Sequence, residues 1–125
     1  MAERVLIIED NEQNLKLARD LLQYHGYETL VARTAAEGVA LAETGNPDLI
    51  LLDDRLPDGD GLATLARLRG MDATAAVPVV AVTASAMSGD RERLLQAGFD
   101  GYLSKPLDSR AFPDQIRGFC RPGST

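Results

Sequence analysis
The chain has 125 residues, 45% hydrophobic and 26% charged, the composition of one soluble domain long enough to bury a core. Its net charge of −6 disfavours a nucleic-acid-binding surface, which is normally basic, and fits protein partners or an acidic cluster that holds a cation. One cysteine, Cys120, excludes an internal disulfide, no apolar run approaches the roughly 20 residues of a membrane span, and MAERVLII lacks a signal-peptide pattern, so a cytoplasmic globule is expected.

Short apolar runs alternate along the chain with apolar residues at helical spacing. Val5–Ile8 ends at Glu9 and Asp10, and Leu15, Ala18 and Leu22 follow on one helix face. His25 and Gly26 mark that helix end, where a partly exposed histidine favours the dipole and reads as structural. After Thr29–Ala32, Thr34 with Glu37 reads as a capping box for a helix carrying Ala35, Val39 and Ala42. Gly45-Asn46-Pro47 closes it. The third run, Asp48–Leu52, stops at Asp53 and Asp54, and the turn Asp58–Gly61 leads to Leu62, Leu65 and Ala66. Val77–Val82 closes on Thr83, before a helix expected to begin near Ala84 with Met87, Leu94 and Leu95. Gly101–Leu103 runs toward Lys105-Pro106, and Phe112, Ile116 and Phe119 outline the last helix. Residues 1–120 form one domain, and the tail 121–125 is expected to fray. Val5–Ile8, Leu49–Leu52 and Val79–Val82 are continuously apolar, as central strands covered on both sides should be. Five strand–helix repeats imply a parallel sheet with helices on both faces, because parallel strands need crossovers.

Glu9, Asp10, Asp53, Thr83 and Lys105 each stand where an apolar run stops, at the carboxyl end of a strand, where open α/β sheets bind ligands. Three carboxylates, a hydroxyl and an ammonium suit a divalent cation and a phosphoryl group. Adjacent Glu9 and Asp10 repel unless a cation or water satisfies them; Asp10 also reads as the N-cap of a helix starting near Asn11 or Glu12. Asp53, set beside Asp10 by the third strand, moves the balance toward Mg²⁺. Asp53 is also a candidate nucleophile, since carboxylates form aspartyl phosphates. Asp54 competes for that role; strand alternation lets only one of the two face Asp10, and spacing alone leaves the choice open. Thr83 reads as an N-cap or as a donor to a phosphoryl oxygen, and Lys105 as a solvated lysine or an inward contact to phosphate or carboxylate. Cys120 reads as a surface or packing residue. Gly59-Asp60-Gly61 is a turn rather than a dinucleotide fingerprint, and no Walker-type GK[ST] exists.

Together, IIEDN (Ile7–Asn11), LLDDRLPDGDG (Leu51–Gly61), VTA (Val82–Ala84) and KP (Lys105-Pro106) resemble, in order and spacing, the receiver domain of two-component response regulators. The likeness covers about Arg4 to Phe119. The segments EDNEQNLKLARDLLQYHGYE and TASAMSGDRERLLQAGFDGYLSKP are similar to stand-alone DivK-type receivers and to receivers attached to hybrid histidine kinases, and the absence of an effector segment points to the stand-alone group. The resemblance implies a flavodoxin-like, doubly wound five-stranded sheet in the order 2-1-3-4-5 with five helices. It implies phosphorylation of Asp53, four residues before Pro57, with Mg²⁺ held by Glu9, Asp10, Asp53 and the Arg55 carbonyl. Thr83 and Lys105 would contact the phosphoryl group, and Tyr102 would be the switch aromatic. The chain would be a cytoplasmic phosphorelay switch rather than a metabolic enzyme, supporting its own phosphoryl transfer and autodephosphorylation. Its partners would be a histidine kinase or histidine phosphotransfer protein and a downstream protein, with no nucleic acid and no membrane.

Three residues depart from the family pattern: Asp54 at a usually apolar position, Arg55 two residues after the phosphoacceptor, and Pro113 inside the expected last helix, which should start late or kink. Two other functions share parts of this pattern. A haloacid-dehalogenase-type phosphatase would also use an aspartate and Mg²⁺, but it wants a second acid where Arg55 stands, and a cap segment. The alternative is a degenerate receiver acting as a phosphorylation-independent interaction module; the complete set of site residues disfavours it, while Asp54 and Arg55 keep it open.

Overall fold
The structure, a computed structural model, describes residues 3–119 except 54, 84–87 and 106, with side chains at all of these but 60 and 88–91. Expectations placed on Asp54, Met87, a helix start near Ala84, Pro106, Cys120 and the tail 121–125 therefore lie outside the described residues. Five parallel strands, β1 (Arg4–Ile8), β2 (Glu28–Ala32), β3 (Leu49–Asp53), β4 (Val79–Thr83) and β5 (Gly101–Ser104), form one sheet in the order β2-β1-β3-β4-β5. The helices among the described residues are α1 (Glu12–Tyr24), α2 (Ala35–Gly45), α3 (Gly61–Arg69), α4 (Ser88–Ala97) and α5 (Phe112–Phe119). Between β3 and α3, Arg55–Leu56 pairs with Gly59–Asp60 in a two-residue antiparallel ladder. This is the doubly wound arrangement expected from the alternating pattern. No helix among the described residues is long and apolar enough to cross a membrane.

Strand alternation divides the core into two layers. Leu6, Ile8, Ile50, Leu52, Val79 and Ala81 pack with Val39, Leu65, Leu68 and Leu94, on the side of α2, α3 and α4. Val5, Ile7, Leu49, Leu51, Val80, Val82 and Leu103 pack with Leu15, Leu22, Phe112 and Ile116, on the side of α1 and α5. Apolar faces on both sides explain why β1, β3 and β4 show no polar alternation.

Several local expectations are corrected. In α3 the buried set is Gly61, Thr64, Leu65 and Leu68, whereas Leu62 and Ala66 face outward. The helix begins at Gly61, directly after the ladder, which sets the phase at 61, 64, 65 and 68. Leu94 is buried and its neighbour Leu95 is 44% exposed, because consecutive helical residues point about 100° apart. Val77 precedes its strand: its N–H donates to the Thr74 carbonyl in the turn before Pro78. The capping reading of Asp10 also fails, since Asn11 is the cap, its Oδ1 accepting the Asn14 N–H at 3.0 Å. Pro113 is accommodated. The helix starts late, at Phe112, so Pro113 falls in the first turn, where a missing N–H costs nothing. His25 is the exposed C-cap of α1, its ring edge-on to Tyr24.

Close packing of α2 on the sheet requires Gly38. A Cβ there would lie 2.5 Å from Ile8 Cδ1, and Ile8 is fully buried. Gly38→Ala gains up to about 1 kcal/mol of helix propensity but meets an overpacking cost of about 1–3 kcal/mol. Chemical denaturation should show the variant net destabilised; a variant more stable than wild type would contradict the tight seat of α2 on Ile8.

Candidate functional site
Parallel pairing brings the carboxyl ends of β1, β3 and β5 to one sheet edge, and alternation aims their side chains. Val5, Ile7 and Glu9 share a face, as do Leu49, Leu51 and Asp53, and Leu103 and Lys105. All three series lie on the α1/α5 side, since their apolar members belong to that core layer. Glu9 and Asp53 are buried, at 4% and 3% exposure. Lys105 Nζ lies 3.0 Å from Asp53 Oδ1 and 3.2 Å from Glu9 Oε1. Lys105 is thus not a solvated surface lysine but a contact to two carboxylates.

Asp10, just past β1, is exposed and completes the cluster: one oxygen from each of Glu9, Asp10 and Asp53 lies within 4.8 Å of the others. The Arg55 N–H donates to Asp53 Oδ1 at 3.2 Å and the Asn11 N–H to Glu9 Oε2 at 3.2 Å, fixing both carboxylates from the backbone. Three carboxylates against one ammonium leave a formal charge of −2. Hard oxygen donors with that excess charge fit a small divalent cation such as Mg²⁺.

Burial and the neighbouring Glu9 carboxyl push the Asp53 pKa above its ordinary 3.8, outweighing the Lys105 and Arg55 hydrogen bonds that pull it down. Burial works against the Lys105 charge as well, but hydrogen bonds and attraction from Asp53 and Glu9 prevail and raise its pKa above 10.5. Asp53 therefore carries its charge against a desolvation penalty, and Lys105 is charged throughout the physiological range.

Thr83 ends β4, buried at 2% exposure, and its carbonyl accepts the Lys105 N–H at 2.9 Å. Strand alternation places Thr83 in the series of Ala81, at the same carboxyl edge of the sheet as Asp53. Tyr102 pairs in register with Ala81 and packs into the same layer, so Thr83 and Tyr102 are diagonal neighbours on one face. The edge thus gathers Glu9, Asp10, Asp53 and Lys105, with Thr83 adjoining and Tyr102 deeper in the sheet. Sequence reasoning missed Asp58, whose carboxylate accepts the Ala35 and Ala36 N–H groups. Only its place in a turn was visible, because its partners are backbone amides more than 20 residues away.

The chain matches the family model of the response regulator receiver domain over residues 5–117. It is 44% identical over 119 residues to the polar-differentiation response regulator DivK of Brucella anthropi, covering 95% of this chain and 97% of that protein. The receiver domain of a sensor histidine kinase from Pseudomonas aeruginosa, described with a magnesium ion coordinated in its active-site cleft, is 33% identical. It superposes with a TM-score of 0.86, covering 95% of this chain and 98% of that one. The chemotaxis response regulator CheY4 of Vibrio cholerae, at 21% identity, shares the fold with a TM-score of 0.90 over 95% and 99% of the two chains.

With its pKa raised in the folded state, Asp53 favours folding fully below its unfolded value of 3.8, and that contribution is lost as pH rises through the folded pKa. Lys105 titrates in the opposite, alkaline window. At neutral pH, metal-free Asp53→Asn should melt above wild type, and the gain should shrink in acid. Melting of the variant below wild type at pH 7 would contradict this charge balance.

Proposed function
Because the chain belongs to the response regulator receiver domain family, we propose that Asp53 accepts a phosphoryl group from a histidine kinase or histidine phosphotransfer protein, in a Mg²⁺-dependent reaction that switches protein binding. The observation that carries this reading is the buried Asp53 carboxylate, held by Lys105 and clustered with Glu9 and Asp10. Glu9, Asp10, Asp53 and the Arg55 carbonyl would hold Mg²⁺, which when bound neutralises charge on the phosphoryl oxygens. Support for Mg²⁺ comes from the acidic cluster and from the magnesium described in the Pseudomonas relative.

Both nitrogen donors to Asp53 among the described residues fall on Oδ1, so this reading gives the attack to Oδ2. A carboxylate oxygen bonds to phosphorus, the donor's phosphorus–nitrogen bond breaks, and an aspartyl phosphate remains. Lys105 then exchanges a carboxylate contact for a charge-assisted bond to the phosphoryl group. Arg55 is exposed two residues on, a place from which its guanidinium would influence autodephosphorylation.

The Thr83 hydroxyl would be drawn to a phosphoryl oxygen, and Tyr102, on the same face, would follow into the space it leaves. Driving such a two-state change from 1:99 to 99:1 takes about 5.5 kcal/mol of differential interaction. Tyr102 borders a groove of about 590 Å³ with Leu95 from α4 and Gln115 and Phe119 from α5, a surface suited to a downstream partner. Ser88, Asp90, Arg91 and Arg93 are the candidate polar contacts on that surface; Arg93 is exposed, while the side chains of Ser88, Asp90 and Arg91 lie outside the described residues. A cytoplasmic phosphorelay, without nucleic acid or membrane as partner, is the setting of this reading.

Incubation with acetyl phosphate and Mg²⁺ should raise the intact mass by one phosphoryl group, and Asp53→Asn should abolish the rise. Labelling that persists in Asp53→Asn would reject Asp53 as acceptor. Thr83→Ala should accept phosphate normally yet lose most of its phosphorylation-dependent partner affinity. Wild-type coupling in that variant, measured by partner titration with and without phosphodonor, would remove Thr83 from the switch.

A further inference from the structure
All four amides that open α2 are satisfied, two of them from a distant part of the chain. The Glu37 N–H donates to Thr34 Oγ1 at 3.1 Å and the Gly38 N–H to the Thr34 carbonyl at 3.0 Å. The Ala35 and Ala36 N–H groups donate to the two oxygens of Asp58, at 2.7 and 3.0 Å. A carboxylate there satisfies otherwise orphaned donors and meets the positive end of the helix dipole. The Ala36 and Ala35 amides accordingly lower the Asp58 pKa. Asp58 is exposed, so this two-point grip, not burial in the core, is what the side chain contributes.

Asp58 occupies, with Pro57, the turn joining Arg55–Leu56 to Gly59–Asp60. A ladder of two residue pairs has little rigidity of its own. Its clamp partner, α2, is seated through Gly38 on Ile8, the last residue of β1. The next residue, Glu9, has its N–H bonded to the Ala32 carbonyl at 2.9 Å, two residues before the α2 cap. Asp58 therefore ties the loop carrying Arg55 to the body that carries Glu9 and Asp10.

We propose that Asp58 is a positioning residue for the acidic site: its grip on the first two amides of α2 fixes the Arg55 backbone relative to the Glu9, Asp10 and Asp53 carboxylates. This rests on the reading above, in which the Arg55 carbonyl joins those carboxylates around Mg²⁺. Outer partners that orient metal ligands typically contribute 10–100-fold in affinity. Asp58 acts through a backbone segment, so the low end applies.

The test is calorimetric titration of MgCl₂ into wild type, Asp58→Ala, Asp58→Asn and, as a charge control, Glu37→Gln, which removes an exposed carboxylate from the same helical turn. Asp58→Ala should bind Mg²⁺ about tenfold more weakly and lose amide-exchange protection at Ala35 and Ala36. Asp58→Asn, which keeps one acceptor, should fall between Asp58→Ala and wild type. Glu37→Gln should stay near wild type, because an exposed charge is screened. Equal binding by wild type and Asp58→Ala overturns this inference alone, as does a loss in Glu37→Gln matching that in Asp58→Ala. Wild type that takes up no Mg²⁺ overturns the functional reading and this inference with it. Should Asp58→Ala not fold, the Asn variant decides, and wild-type affinity there overturns the proposal.

Discussion
The Lys105 ammonium, 3.0 Å from Asp53 and 3.2 Å from Glu9, is the contact around which the edge of this sheet is organised. Two carboxylates at 3–4% exposure cannot both stay ionised side by side without a counter-charge, since burial disfavours charge and like charges repel. One lysine compensates only part of the cluster. Asp10 adds a third carboxylate, and the remaining negative charge gives the site an electrostatic reason to take a divalent cation. Removing the lysine would leave uncompensated buried charge, the costly way to break an ion pair.

The fold makes this contact by register rather than by local sequence. Glu9, Asp53 and Lys105 come from three separate strands, yet each lies an even number of residues from apolar members of one core layer. The same alternation puts Tyr102 with Ala81 in the other layer, toward α3 and α4, and Thr83 in the series of Ala81 at the sheet edge. Thr83 thus stands at the edge between the acidic cluster and the layer that holds Tyr102. They are linked through the β4–β5 pairing, where the Lys105 N–H meets the Thr83 carbonyl.

Most of the architecture was readable because β1, β3 and β4 are buried on both faces and show as unbroken apolar runs, with a polar residue at the end of each. Helix phase was read less well. Leu62 and Leu95 look as suitable for the core as Leu65 and Leu94, and only the actual helix start or the neighbouring layer decides between adjacent residues. Asn11 displaced Asp10 as the α1 cap because either side chain can accept an amide and only the backbone path selects one. The Asp58 clamp left no sequence signal, since a carboxylate bonded to backbone amides imposes no residue type on its partner. Pro113 was visible as a constraint, and it is absorbed by the late start of α5.

The central claim is that an unbalanced acidic cluster is built to take Mg²⁺ beside Asp53. Thermal melting with and without millimolar MgCl₂, at ionic strength matched with NaCl, tests it most directly. Specific binding to the folded state should raise Tm progressively with Mg²⁺, following RT ln(1 + [L]/Kd), while NaCl alone should not reproduce the rise. Melting curves that superpose across the Mg²⁺ series would contradict the account.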